Sequence, residues 1–225
     1  LLDRIREDVH YWYPLDINLG GKEHMTVHFP VFLMNHRGLL PDDMQPRGII
    51  ANWYVTGKKS KISKSKGGAQ PIPGAAGKFG VDGMRLYYAH SASAFADIEW
   101  DEDTVMSYTQ RVNKIVGFVE DLIASDAKPV SGPIDAWLLS RFNNHIATIR
   151  TAMDSFDLRQ LASTAYFEMF NDFKWYTRRG GNDPETIRKA LRIWLMAIMP
   201  ITPHTAEELW SDAGFEGLVS AAQFP

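Results

Sequence analysis

Two rhythms of apolar and polar positions divide this chain. Before about residue 100, short apolar runs are punctuated by glycine and proline. From about Thr104 onward apolar residues recur three or four apart, the spacing of helices that bury one face. In the first half, residues 1–9 mix Leu, Ile and Val with charges as a helix does, and Tyr11-Trp12-Tyr13-Pro14 ends it, because proline cannot continue a helix. Leu15-Asp16-Ile17-Asn18-Leu19 alternates apolar and polar, which predicts a short strand ending at Gly20-Gly21. Residues 23–37 predict a helix with Met25, Phe29, Phe32 and Leu33 on one side, and Pro30 inside it implies either a kink or an imperfect helix. Arg47-Gly48-Ile49-Ile50-Ala51-Asn52 predicts a second, buried strand. Strand, glycine turn, helix, strand is the order of a parallel α/β sheet. The Pro-, Gly- and Ala-rich residues 69–80 predict a connector, and the acidic run Ala96–Asp103 a short strand and then a helix cap at Asp101 or Asp103.

The second half reads as helices only. One runs from Thr104 to about Ala124, with Pro129 and Gly132-Pro133 separating it from the next. Residues 134–154 carry Ile134, Trp137, Leu138, Phe142, Ile146, Ile149 and Met153 as one inward stripe. Asp157 caps a helix from Leu158 to about Arg179, and Gly180-Gly181 ends it. Asp183-Pro184-Glu185 is a helix start: an N-cap, a proline in the first turn, and an acid near the positive end. That helix runs to Met199; Pro200 and Pro203 close it, and His204–Trp210 begins another. Aromatic and methionine stripes at this spacing form a core.

Composition sets bounds. The 225 residues suffice for one large domain or two smaller ones, and 45% apolar content is ample for a packed core. The absence of cysteine excludes disulfides, Cys-ligated zinc and a thiol nucleophile, and fits a reducing cytoplasm. No apolar run is long enough to cross a bilayer as a helix, so no membrane partner is expected. The N-terminus is charged, lacks a starting Met and reads as a cut end inside a longer chain. Oligomeric state is not legible.

Net charge is only −3, so any nucleic-acid binding must come from local basic faces. One is Lys58–Gly68, where five lysines are interleaved with serines, and no Asp or Glu occurs from Met44 to Val81. Such a cluster repels itself until a polyanion neutralises it, and lysine is a point charge on a flexible stem, so a polyphosphate is the expected ligand. A solvated surface loop is the plainer alternative. The second informative stretch is the glycine turn. Gly20 and Gly21 let a ligand approach the backbone, and Lys22, Glu23 and His24 follow at a helix N-terminus, where N–H groups point outward. Glu23 is suited to accept from ribose hydroxyls; a plain helix-capping turn is the competing reading. His24 and His28 stand four apart, but a metal needs a third ligand and none is evident nearby, so no metal site is expected. No Walker P-loop and no Gly-x-Gly-x-x-Gly fingerprint is present. In the helical half, Lys174, Arg178, Arg179, Arg188, Lys189 and Arg192 gather around one helix junction, an expected contact for RNA phosphates.

Order makes the reading specific. Lys61-Ile62-Ser63-Lys64-Ser65 resembles the "KMSKS" loop of class I aminoacyl-tRNA synthetases, with Ile62 for Met. Gly20-Gly21-Lys22-Glu23-His24-Met25-Thr26-Val27-His28 ahead of it looks like the end of their catalytic domain. With Trp12-Tyr13-Pro14-Leu15-Asp16, the pattern is closest to the leucyl members, with methionyl members next. Asp82–His90 resembles the helix that follows the loop in this family, and Met199–Trp210 a segment shared by leucyl, isoleucyl and valyl members.

The resemblance implies an α/β plus all-α chain: a partial Rossmann-like nucleotide-binding domain followed by a helical anticodon-binding bundle. The expected parts are residues 1–57, the end of the catalytic domain; 58–103, the lysine loop and connector; and 104–225, the bundle. It implies a leucine–tRNA ligase that uses ATP with Mg²⁺ and has leucine and tRNA(Leu) as partners. Lys64 and then Lys61 would be catalytic, with Lys61, Ser63, Lys64, Ser65, Gly20, Gly21, Glu23 and His24 binding ATP. The family's His-x-Gly-His motif is missing, so this stretch alone is expected to be catalytically incomplete. A non-catalytic RNA-binding helical module is the alternative from a different class.

Overall fold

A computed structural model describes residues 1–57, 72–91, 96–125 and 129–225, and the backbone of residues 60–61. The chain divides into two compact units: Leu1–Lys61 with Ser93–Glu99, and Ile62–Ala92 with Trp100–Pro225. Among the described residues no helix is long and apolar enough to cross a membrane.

The first unit opens with α1 (Leu2–Trp12), which ends where Tyr13 turns extended before Pro14. Strand β1 (Asn18–Gly21) lies later than the alternation implies and runs through the glycine pair. It pairs in parallel with β2 (Ile49–Asn52), Gly20 opposite Ala51 and Gly21 opposite Asn52. The parallel pairing agrees with the sequence, but β2 is half-buried rather than buried. The single helix expected over 23–37 is two pieces. A 3₁₀ turn spans Lys22–Met25, and α2 spans His28–Leu39. Pro30 therefore sits in the first turn of α2, where its missing N–H leaves no hydrogen bond unmade, and it causes no kink. Of the predicted apolar side only Phe29 is buried, at 4% exposure; Met25 and Leu33 stay exposed. A second sheet has the order β4 (Ser60–Lys61), β3 (Val55–Gly57), β5 (Ile98–Glu99).

The second unit is helical. Residues 72–79, expected as connector, form α3 (Ile72–Phe79). Burial of Ala75 and Phe79 outweighs the poor propensities of its glycines, and Gly80 at φ 73° ends it. It is followed by α4 (Val81–Ser91), α5 (Glu102–Ile123) and α6 (Pro133–Asp154). Asp101, not Asp103, caps α5, accepting from the Thr104 N–H at 3.0 Å.

Beyond α6 come α7 (Leu158–Ser163), a π-helical turn at Thr164–Glu168, and α8 (Met169–Arg178). Asp157 caps α7 as its sequence predicts, and Gly180 at φ 83° follows α8. The π turn was not legible. There the Ala165 carbonyl accepts from Trp194 Nε1 at 2.7 Å, and the buried Tyr166 hydroxyl bonds the Ile198 carbonyl and Thr202 Oγ1. Two more helices, α9 (Pro184–Ile198) and α10 (Pro203–Asp212), complete the bundle. Leu138, Phe142, Tyr166, Phe173, Trp194 and Trp210 are among the side chains that fill its core.

Three helix ends meet at one phenol. Tyr176, in the last turn of α8, donates to Asp135 in the first turn of α6 at 2.6 Å. It also accepts from the N–H of Asp183, the N-cap of α9, at 3.1 Å. Asp183 in turn accepts from Thr186 and from Ser131. Burial first, and then the bond to Asp135, raise the Tyr176 pKa far above the usual phenol, so the proton stays on Tyr176.

Candidate functional site

The glycine turn is built by the end of β1. A Cβ on Gly20 would meet the Phe29 ring at 2.6 Å and His24 Nδ1 at 2.8 Å. One on Gly21 would meet the Glu23 carboxylate at 2.6 Å. Gly20 is thus held to glycine by the Phe29 and His24 rings, whereas at Gly21 the exposed Glu23 side chain could swing aside. The Gly21 N–H donates to His24 Nδ1 at 2.9 Å, so neutral His24 carries its proton on Nε2. His24 and His28 do not share a helix face as expected, since one lies in the 3₁₀ turn and the other begins α2. Their rings lie edge to face, 5.5 Å apart, beside Phe29. Among the described residues no group of three or more His, Asp or Glu side chains is placed to hold a metal ion.

Lys22 adds a contact that the sequence did not suggest. Its Nζ lies 4.9 Å from the Trp53 ring centre and 5.9 Å from that of Tyr54. Trp53 and Tyr54 join β2 to β3, so the turn after β1 is tied to the approach to the lysine stretch. The only signal for this was an aromatic pair directly after a strand. Thr56 stands opposite Lys61 of β4 and, on its other side, opposite Glu99 of β5. The Tyr54 N–H donates to Asp97 at 3.1 Å and Asp101 caps α5, so part of the acidic run has internal roles rather than forming a wholly solvated face. The side chain of Lys61, and Ser63, Lys64 and Ser65 entirely, lie outside the described residues.

In the helical unit the six expected RNA-contacting cations have different partners. The Arg188 guanidinium donates to the Ala213 and Gly214 carbonyls at 3.2 and 3.3 Å and lies 4.5 Å from the Phe215 ring. It thereby satisfies free carbonyls just past α10. Arg192 lies over Trp210, 4.9 Å from the ring centre. Lys189 pairs with Glu185 one turn earlier at 2.6 Å. Arg179 lies 3.6 Å from the Trp175 ring centre, and Trp175 packs on Trp137 at 4.6 Å. Arg178 is exposed at the end of α8, and Lys174 lies 5.0 Å from the Phe170 ring centre. Arg188 and Arg192 share the Phe215 ring.

Comparison with known proteins divides the chain at a different place from its compact units. A family model described as tRNA synthetases class I (M) matches residues 17–122, and one for the anticodon-binding domain of tRNA ligase matches residues 135–225. The leucine--tRNA ligase of Methanosarcina mazei is 33% identical over 100% of this chain and 24% of its own length. That of Methanothrix thermoacetophila is 34% identical over 99% of this chain and 23% of its own length. The chain thus spans about a quarter of the length of the curated relatives it matches. In fold it resembles the agnB2 LeuRS of Agrobacterium radiobacter K84, solved as a ternary complex with tRNA and LeuAMS. The TM-score is 0.75, at 23% identity, over 94% of this chain and 29% of that one. With one model on each side of residue 130 and full-length alignment to leucine--tRNA ligases, the chain belongs to the class I tRNA synthetase family.

Proposed function

We propose that this chain is the part of a leucine–tRNA ligase that carries the end of the ATP site, the connector and the anticodon-binding bundle. The parent enzyme joins leucine to tRNA(Leu) in the cytoplasm, using ATP accompanied by Mg²⁺. The parts are assigned as residues 1–57, 58–103 and 104–225. By itself the chain does not activate leucine, because the remaining amino-acid and ATP contacts lie on the rest of the enzyme.

In the first reaction a leucine carboxylate oxygen bonds to the α-phosphorus of ATP, and the bond from that phosphorus to the leaving pyrophosphate breaks. Negative charge grows on the departing group, so cations there hold the transition state more strongly than the ground state. Lys64 takes this role first and Lys61 second, with Ser63 and Ser65 shaping the loop. Gly20, Gly21, Glu23 and His24 face the nucleotide, with Glu23 accepting from ribose. Lys174, Arg178, Arg179, Arg188, Lys189 and Arg192 are the assigned tRNA contacts. The observation that supports the reading best is the tie of Lys22 to Trp53, 4.9 Å from the ring centre, which joins the glycine turn to the strand pair that ends in Lys61.

The test uses the full-length enzyme. Lys64→Ala should slow leucine-dependent pyrophosphate exchange on the order of 10²-fold or more while tRNA affinity is kept. Exchange within a few-fold of wild type would remove Lys64 from the mechanism.

A further inference from the structure

A second cationic surface lies elsewhere on the helical unit. His90, near the end of α4, stacks on Phe167 of the π turn at 4.7 Å, and its Nδ1 lies 2.7 Å from the Tyr108 hydroxyl of α5. Arg111 of α5 lies 4.5 Å from the Phe167 ring centre and 5.6 Å from that of Phe170. Lys174 of α8 lies 5.0 Å from the same Phe170 ring. Arg159 lies on α7, which packs against α4, the helix of His90. Arg159 is exposed and Arg111 and Lys174 are half-exposed.

These cations differ from the others in what they are bonded to. Among the described residues no carboxylate pairs with Arg111, Arg159 or Lys174. Lys189 is held by Glu185, Arg141 by Asp172, and Arg188 by two carbonyls. Arg111, Arg159 and Lys174 keep their hydrogen-bond donors unspent, and guanidinium and ammonium donors facing water suit phosphate oxygens. The aromatic rings are already engaged: Phe167 carries His90 and Arg111, and Phe170 is buried at 3% exposure. The rings therefore seat the cations rather than offer a face to a base.

We propose that Arg111, Arg159 and Lys174, set around His90, Phe167 and Phe170 on α5, α7 and α8, bind the sugar–phosphate backbone of RNA. The inference rests on the reading of the bundle as a tRNA-binding domain. It adds a backbone contact on α5, α7 and α8 to those assigned above, with Lys174 the one residue shared. Contacts of this kind supply affinity through counterion release and carry no sequence information.

The experiment measures binding of the 225-residue chain to a tRNA transcript across a series of salt concentrations. Arg111→Gln, Arg159→Gln and Lys174→Gln are tested singly and together, with Arg37→Gln, an exposed cation of α2 paired with Asp42, as the comparison. Each lost phosphate contact should flatten the log–log salt dependence by about 0.7–0.9. The triple variant should therefore lose about two units of slope and bind at least ~10-fold more weakly near 0.1 M salt, with Arg37→Gln within twofold of wild type. Arg159→Gln, at an exposed position, reads the effect without risk to the fold. Wild-type binding that the triple variant retains, with an unchanged slope, overturns this inference alone. A wild-type chain that shows no salt-dependent tRNA binding overturns the tRNA reading and this inference with it.

Discussion

Asp82 Oδ2 accepts from the backbone N–H of Thr205 at 2.7 Å, across 122 intervening residues, and from the Thr205 hydroxyl at the same distance. Asp82 Oδ1 lies 3.0 Å from His204 Nδ1. One carboxylate in the first turn of α4 thus caps α10 from outside its own sequence. The Met199–Trp210 motif depends on this clasp, and nearby Arg85 adds bonds to the carbonyls of Pro200 and Ile201.

Asp82→Ala should therefore leave the half-buried Thr205 donors at the start of α10 without this acceptor, at a cost of about 2 kcal/mol. For a chain of this size that is a fall of about 4–8 °C in melting temperature. Asp82→Asn, which keeps an acceptor but loses the charge, should fall between. Thermal melts of the three proteins decide it; an alanine variant that melts with wild type removes the clasp from the account.

Gly83 makes the closest helix contact in the unit. A Cβ there would lie 2.3 Å from Thr109 Oγ1 and 2.9 Å from its Cα, on α5. Alanine improves helix propensity by about 1 kcal/mol, but overpacking against backbone costs about 1–3 kcal/mol. The clash wins, so Gly83→Ala should destabilise by about 1–2 kcal/mol in denaturant unfolding. A more stable variant would mean that α4 and α5 are free to separate.

Arg188 and Lys189 are neighbours with different tasks. Arg188→Ala should cost about 1 kcal/mol by freeing the carbonyls at the end of α10. Lys189→Ala should stay within about 0.5 kcal/mol, since an exposed i,i+4 pair contributes little. Equal effects in a chemical-denaturation series would contradict the capping role of Arg188.

His90 carries a pH signature. Burial first, and then the Arg159 and Arg111 charges, lower its pKa below the usual imidazole value. Tyr108, whose hydroxyl also accepts from Ser91, faces it as a neutral hydroxyl, and Phe167 as an apolar ring. The folded pKa lies below the unfolded one, so the unfolded chain takes the proton first on acidification. The contribution of neutral His90 is complete above pH ~6.5 and fades as pH falls below it. His90→Gln should flatten the melting-temperature profile below about pH 6.5 relative to wild type. Parallel profiles for the two proteins would exclude His90 as the titrating group.

Local signals in the chain located what local chemistry decides. Asp157 and Asp183 as caps, Gly180 as a helix stop, and the parallel pairing of β1 with β2 all follow from neighbouring residues and apolar runs. Where distant partners decide, the pattern was blind. Nothing in Ile72–Phe79 announces a helix until Phe79 has a core to enter. The π turn exists where Trp194 reaches the Ala165 carbonyl, a partner 29 residues away. The clustering of Arg188 and Arg192 with Lys189 in sequence conceals that two of them are held against Phe215. The glycine turn was found, but its glycines answer to Phe29, His24 and Glu23 rather than to open space.

The junction at Tyr176 carries a consequence for how the bundle opens. Helix ends ordinarily fray one by one, yet the first turns of α6 and α9 and the last turn of α8 hang on a single hydroxyl and its two aspartates. Hydrogen–deuterium exchange should find their amides released together, at one common rate, and Tyr176→Phe should split that cooperative event into three separate ones.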